Sequence, residues 1–240
     1  MINKESPVPI YFQLENLIKE MIDTRELKPG DVVPSEREYA EKYGISRMTV
    51  RQAMNNLTSE GYLERKRGKG TFVAIKKLEQ SLNFLTSFSE EMRARGMVPT
   101  TKVLDFNIIS ADKFMATKLG IEEGSPVYEV TRLRFGDDIP IAYQIFYTSV
   151  DLVPSLTKEM AEQSIYRYIE RESGLSFFSA EHEIEAKVAF QEEAKALGVK
   201  VGHPILYISR IGYSENEKPL EYAESYFRGD YYKVKMKIKG

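Results

Sequence analysis

Two groups of residues carry the chemistry legible in this sequence. Arg47, Thr49, Arg51 and Gln52 crowd one short stretch. An arginine there can donate two hydrogen bonds to guanine and a glutamine can pair with adenine, each worth about 1–3 kcal/mol of discrimination when well placed. Arg132 and Arg134 form the second group, two apart in an alternating run and therefore on one face of a strand. Paired guanidiniums of that kind grip phosphate or carboxylate. The chain has no nucleophile elbow, Walker loop, dinucleotide fingerprint or zinc-binding helix. With no cysteine and only His182 and His203, it excludes a disulfide scaffold and a thiolate or His-rich metal site, so neither metal nor cofactor is expected. His182, in a Glu-His-Glu alternation, is expected to face solvent. His203 precedes Pro204 in a turn and reads as structural.

The elements that must position the first group are short helices. From Pro9, the apolar residues Ile10, Tyr11, Leu14, Leu17, Ile18, Met21 and Ile22 recur at three- and four-residue spacing, which predicts an amphipathic helix ending near Thr24. After Pro29-Gly30, Ser35 followed by Glu38 makes a capping box for a second helix that buries Tyr39, Ala40 and Tyr43 and stops at Gly44. Ser46 caps a third helix, in which Met48, Val50, Ala53, Met54 and Leu57 are expected to face inward. Two helices around a tight glycine turn, with Arg, Thr and Gln opening the second, form a helix-turn-helix suited to the major groove. Tyr62 to Arg65 and Thr71 to Val73 then read as two strands around the basic tip Lys66-Arg67-Gly68-Lys69-Gly70. This is a wing, its glycines permitting close backbone approach to DNA and Lys69 reaching phosphates or the minor groove.

Charge follows the same division. The chain of 240 residues carries a net −2, yet residues 1 to 77 hold 14 Lys and Arg against 11 Asp and Glu. Between positions 46 and 70, Arg47, Arg51, Arg65, Lys66, Arg67 and Lys69 face only Glu60 and Glu64. It is this local positive surface that phosphates would meet. The length suits a small domain joined to a larger one. No apolar run approaches a membrane span, and the N-terminus lacks the apolar core of a signal peptide, so a cytoplasmic protein without membrane contact is expected.

These residues resemble the GntR family. Its signature stands here as Pro34-Ser35-Glu36-Arg37-Glu38, Ile45 through Ala53, Gly61-Tyr62-Leu63 and Gly68-Lys69-Gly70-Thr71-Phe72-Val73. The resemblance implies that Arg37 and Arg47 read bases or phosphates, that Thr49 and Arg51 hold the DNA backbone, and that the tip glycines enter the minor groove. Ser35, Gln52 and Lys69 complete the expected DNA-contacting set.

The remainder repeats itself. Leu119-Gly120-Ile121, Gly124, Pro126, Val127, Arg132 and Leu133 recur at an offset of 78 as Leu197-Gly198-Val199, Gly202, Pro204, Ile205, Arg210 and Ile211. Each copy follows a short helix and leads into a hairpin, which predicts two helix-plus-hairpin halves sharing one antiparallel sheet about a pseudo-twofold axis. Ligands often sit where such halves meet. Phe88 and Ser89 fall in the first turn of a helix and Ser164 caps another containing Tyr166, so serines and arginines could frame an anion. Equally, the arginines could pair with surface carboxylates while the serines only cap.

This half resembles the UTRA effector domain of the HutC subfamily, on Leu85-Thr86-Ser87-Phe88 and Tyr222-Ala223-Glu224-Ser225 to Arg228. The resemblance implies a fold like chorismate lyase and favours the anion pocket. The whole chain then reads as α+β, with a winged helix-turn-helix over 1–73, a linker over 74–81 and an effector-binding and dimerisation domain over 82–240. Within the subfamily it is most similar to members that sense amino-sugar phosphates. By that similarity Phe88, Ser89, Arg132, Arg134, Ser164 and Tyr166 surround the phosphate and Glu221 meets sugar hydroxyls. Gln144 stands where those members carry glutamate, and Phe227 where they carry tyrosine.

The expected function is a transcription regulator that represses carbohydrate genes, binds double-stranded operator DNA as a homodimer, and responds to a phosphorylated sugar such as N-acetylglucosamine 6-phosphate. The competing readings are a regulator sensing a non-sugar anion, a chorismate-lyase-like enzyme using Arg132, Arg134 and Glu221 on a small carboxylate, and an architectural DNA binder. The enzyme gives the DNA module no purpose, and the architectural protein gives the duplicated domain none. Arg47→Ala is expected to weaken operator binding by about 1–3 kcal/mol and relax base preference, whereas Lys69→Ala weakens operator and random DNA alike. Binding titrations on both DNAs check this, and equal losses for Arg47→Ala refute it.

Overall fold

A computed structural model describes residues 2–74, 77–81 and 86–237 of the chain. It divides into two compact units, Met1–Lys76 and Lys77–Gly240. Among the described residues no helix is long and apolar enough to cross a membrane.

The first unit runs α1 (Ile10–Asp23), β1 (Val32–Val33), α2 (Glu36–Tyr43), α3 (Arg47–Ser59), β2 (Leu63–Lys66) and β3 (Gly70–Val73). Thr24 is the C-cap of α1. Ser35 and Glu38 form the reciprocal capping box, and Ser46 accepts from the Thr49 amide at 3.1 Å. Leu14 and Ile18 of α1, Tyr39 of α2, and Val50, Ala53, Met54 and Leu57 of α3 meet in one core with Val33, Leu63 and Val73. Met48 is not among them. It is 67% exposed, because 100° per residue turns position 48 away from the face shared by 50, 53, 54 and 57. The three strands pair in the order β1-β3-β2, with Lys66 opposite Gly70 closing the wing.

The second unit adds β4 (Leu78–Ser81), α4 (Phe88–Ala94), β5 (Pro99–Ser110), α5 (Lys113–Leu119), β6 (Pro126–Gly136) and β7 (Ile139–Ser149). There follow α6 (Lys158–Glu162), α7 (Ile165–Ser173), β8 (Ser179–Val188), α8 (Gln191–Leu197), β9 (Pro204–Tyr213), β10 (Pro219–Arg228) and β11 (Tyr232–Lys235). Six strands make one antiparallel sheet in the order β5-β6-β7-β10-β9-β8. The duplication is visible in that order, since β5-β6-β7 and β8-β9-β10 are mirrored about the β7–β10 seam.

Each half depends on the other for its core. Met115, Ala116 and Leu119 of α5 pack with Ile211 and Tyr222 as well as Val127 and Tyr147. Reciprocally, Ala194 and Leu197 of α8 pack with Leu133 and Tyr143 as well as Ile205 and Tyr207. On the opposite face, Ile165, Tyr168 and Ile169 of α7 and Ala161 of α6 cover Val130, Phe146 and Ala223. The span expected to be a linker, 74–81, holds the strand β4, which pairs in parallel with β11, Leu78 opposite Tyr232. Its Ile75 and Lys76 lie outside the described residues, as does Leu85 of the motif named above.

Leu197→Ala, which empties a fully buried site, is expected to destabilise the second unit by about 2–5 kcal/mol. Because α8 packs across the seam, hydrogen exchange should quicken in β6 and β7 as well as in β9 and β10. Acceleration confined to β9 and β10 would contradict shared packing.

Candidate functional site

The first unit presents an exposed polar surface along the start of α3 and the wing. Arg47, Arg51 and Gln52 are exposed, Thr49 is half-buried, and the exposed Met48 stands among them, a position that helical phase could have assigned. Its thioether chain adds an apolar group able to touch a thymine methyl. Arg51 is held by Glu36 at 3.0 Å, and the other Glu36 oxygen takes Arg65 of β2 at 3.1 Å. One carboxylate thus ties α2, α3 and the wing together. Arg37 pairs with Glu41 at 2.8 Å, and Ser35 spends its side chain on the α2 cap. At the tip, Gly68 and Gly70 take φ of 73° and 116°, which favour glycine, and nothing lies within 4 Å of where a Cβ would stand. The exposed Lys69 sits between them, its amide donating to the Lys66 carbonyl at 2.9 Å.

In the second unit, cross-strand register collects residues from distant parts of the chain. Arg132 lies opposite Gln144, Gln144 opposite Ser225, and Ser225 opposite Ile208. The neighbouring row runs Val130, Phe146, Ala223, Arg210, His182. Arg132, Gln144, Ser225 and Ile208 of the first row and Ala223, Arg210 and His182 of the second, with Arg134 and Phe227 from a third, line a cavity. Its rim is formed by Ser87, Phe88 and Ser89 where α4 begins and by Ser164, Ile165 and Tyr166 where α7 begins. Ser164 is the α7 N-cap residue, yet its side chain makes no capping bond. Ser87, not Ser89, caps α4, accepting from Glu90. The hydroxyls of Ser89 and Ser164 are therefore not consumed as helix caps.

The cavity is electrostatically unbalanced. Gln144 Oε1 accepts from Arg132 at 2.6 Å and Arg134 at 3.2 Å, while its Nε2 donates to Ser225 at 2.9 Å. Glu221, fully buried, accepts from Tyr166 at 2.8 Å and from Arg210 through the same oxygen. Its other oxygen, like the Nε of Arg132 and of Arg134, is buried with no hydrogen-bond partner. Burial pushes Arg132 down to about 10, and burial together with Arg132 pushes Arg134 well below the usual guanidinium value. Burial likewise raises Glu221, against the pull of Arg210. A guanidinium does not give up its proton in a protein, so these shifts express charge that the pocket leaves uncompensated. Three guanidiniums face one carboxylate; the other pocket acid, Glu91, is engaged by Arg95 at 2.8 Å.

Aromatic faces hold the guanidiniums in place: Arg132 over Phe146 at 4.9 Å, Arg134 over Phe88 at 4.5 Å, and Arg210 over Tyr166 at 4.8 Å. Tyr166 in turn packs on Phe177, centroids 4.6 Å apart. Phe177 lies so close to the sheet that a Cβ on Gly212 would stand 2.8 Å from its ring.

All nine residues expected around an effector meet here, eight lining the cavity and Glu221 beneath it through Tyr166 and Arg210. Expectation about His182 needs correction. It is half-buried and lines the cavity, and burial lowers its pKa so that the neutral ring predominates near pH 7. Alternation in an edge strand shows only that faces differ, and here the His182 face is the one that covers the pocket. Arg210 and Ser225 were not singled out from the sequence. The duplication held the signal for Arg210, which repeats Arg132 at the offset of 78.

Comparison with known proteins gives two family matches: bacterial regulatory proteins of the gntR family over residues 10–73, and the UTRA domain over 94–233. The HTH-type transcriptional repressor NagR of Bacillus subtilis is 44% identical over 231 residues, covering 96% of this chain and 95% of that protein. The mannosyl-D-glycerate transport/metabolism system repressor MngR of Escherichia coli is 33% identical, covering 95% of each. Among solved structures, PhnF of Mycobacterium smegmatis superposes with a TM-score of 0.72 at 27% identity, over 94% of this chain and 99% of that one. These relatives are transcription regulators, not enzymes.

The charge imbalance makes a prediction. Gln144→Glu sets a carboxylate between Arg132 and Arg134, where a charged hydrogen bond is worth about 1.5–3 kcal/mol. The ligand-free protein should melt at higher temperature, and the stabilisation given by inorganic phosphate should shrink. A lower melting temperature with an undiminished phosphate response would refute the imbalance.

Proposed function

The chain belongs to the GntR family of bacterial transcription regulators, with a UTRA domain following its DNA-binding module, and from that premise we propose that it is a repressor of carbohydrate uptake or catabolism genes whose grip on operator DNA is altered by a phosphorylated sugar. The observation that carries the effector class is the buried excess of two positive charges among Arg132, Arg134, Arg210 and Glu221. A phosphate monoester brings about −1.5 to −2 near neutral pH, which cancels that excess, whereas one carboxylate leaves part of it buried. Ser89 and Ser164 supply hydroxyls around the anion, the Phe88 backbone adds a donor, and Tyr166 borders the site with its own hydrogen committed to Glu221. Gln144, Ser225 and the free Glu221 oxygen offer hydrogen bonds to sugar hydroxyls, and Phe227 offers a ring for the apolar sugar face. N-acetylglucosamine 6-phosphate is the leading candidate, on the resemblance to amino-sugar sensors.

On the DNA side, Arg37, Arg47, Met48 and Gln52 form the reading surface, with Ser35, Thr49 and Arg51 against the backbone and Gly68, Lys69 and Gly70 at the minor groove. One helix-turn-helix covers one half-site, so the working form is a homodimer on a two-fold operator in the cytoplasm. The effector acts by shifting the population of dimers whose modules match the operator spacing, for which a few kcal/mol of coupling suffices.

The deciding measurement is thermal unfolding against sugar phosphates and their unphosphorylated parents, followed by operator titration with any compound that stabilises. A ligand at one hundred times its dissociation constant should add about 2.7 kcal/mol. Stabilisation by a phosphorylated sugar but not its parent, with changed operator affinity, is the expected result. Stabilisation by carboxylates alone would replace the sugar phosphate with another anion.

A further inference from the structure

The cavity wall continues into a buried chain of contacts that ends on the first strand of the second unit. Phe227, which lines the cavity, stacks on Tyr232 of β11 with centroids 4.0 Å apart and planes 12° from parallel. Tyr232 is 2% exposed, and its hydroxyl lies 2.8 Å from both carboxylate oxygens of Glu91 on α4. One hydroxyl hydrogen serves two acceptors, so the ring sits centred on the carboxylate and resists sliding either way. Glu91 also lines the cavity. Arg95 pairs with its carboxylate at 2.8 Å and donates to the Glu79 carbonyl in β4. Among the described residues the one strand paired with β4 is the parallel β11, with Leu78 N–H donating to the Tyr231 carbonyl at 2.6 Å and with Lys233 and Lys235 both salt-bridged to Glu79.

This arrangement is costly unless it serves a purpose. A carboxylate 7% exposed carries a desolvation penalty, and burial raises the Glu91 pKa despite Tyr232 and Arg95. An apolar residue facing Phe227 and Tyr232 would pack at less cost, but it could not orient Arg95 toward β4. The polar group thus fixes geometry between two places, the cavity wall and the strand where the chain enters the second unit.

We propose that Tyr232 and Glu91 are a positioning pair that passes the state of the cavity to β4, with the C-terminal strand β11 acting as a strap on the segment that follows the DNA-binding unit. A ligand seated against Phe227 or the α4 end of the cavity shifts the ring stack or α4, and Arg95 and β11 convey that shift to β4. The inference deepens the effector reading above and rests on it for the identity of the signal.

Tyr232→Phe keeps the stack on Phe227 and removes the hydroxyl; Glu91→Gln keeps the shape and removes the charge. In the full-length, ligand-free protein, both should speed amide exchange in β4 by about tenfold or more while leaving β9 and β10 protected. With N-acetylglucosamine 6-phosphate as probe, Tyr232→Phe should bind it within about threefold of wild type. Its effect on operator affinity, within the 5- to 150-fold span usual for such coupling, should drop to about threefold or less. Unchanged β4 exchange in both variants overturns the strap, and fast β4 exchange with a full operator response overturns the coupling. If the wild type itself ignores the probe, the N-acetylglucosamine 6-phosphate assignment falls, while the exchange result still decides the strap.

Discussion

The second unit is organised around a charge problem at the seam of its duplicated sheet. Arg132 comes from the first half, Arg210 and Glu221 from the second, and Gln144 and Ser225 face each other across β7 and β10 where the halves join. Aromatic faces and one shared amide oxygen orient the guanidiniums without neutralising them. A site that keeps its charge while losing its solvent is poised for an anion. The surrounding structure follows from that requirement, since α4, α6 and α7 all pack on the one face of the sheet that carries the arginines, and α5 and α8 seal the other.

The DNA-binding unit solves a simpler problem, holding a polar surface rigid on a small core. Three helices share a single cluster of apolar side chains, and the groups left outside it are fixed by the α2 capping box, the Ser46 cap and Glu36. Glu36 takes Arg51 with one oxygen and Arg65 with the other. Partly exposed pairs of this kind contribute little stability but set side-chain direction.

The two halves of the effector domain share their cores. Because α5 and α8 each pack on strands of both halves, a displacement at the seam is not absorbed locally. The Phe227–Tyr232–Glu91 contacts lead from that same seam to β4, so a tightly packed sheet and a weakly tied entry strand stand at opposite ends of one chain of contacts. Regions with few pairing partners are where small free energies shift populations most readily.

Much of this was legible in the residues. The helix-turn-helix and wing follow from local rules: Ser35 and Ser46 as caps, Gly44 as a stop, alternating apolar spacing, and glycines at a basic tip, each determined by near neighbours in the chain. The offset of 78 exposed the duplication because similar packing demands repeat the same or similar residues. Tertiary structure alone decided what depends on register between distant strands. Arg210 belongs with Arg132 and Arg134 because β9 and β6 are brought to one face across two intervening strands, and His182 lines the cavity rather than facing water for the same reason. β4 and β11 escaped notice because short parallel strands far apart in sequence leave no periodic signal. Met48 is the reverse case, an apolar residue whose exposure follows from helical phase, a local constraint, rather than from composition. Periodicity within an element is written in the sequence, but which elements face each other is settled only when the chain closes on itself.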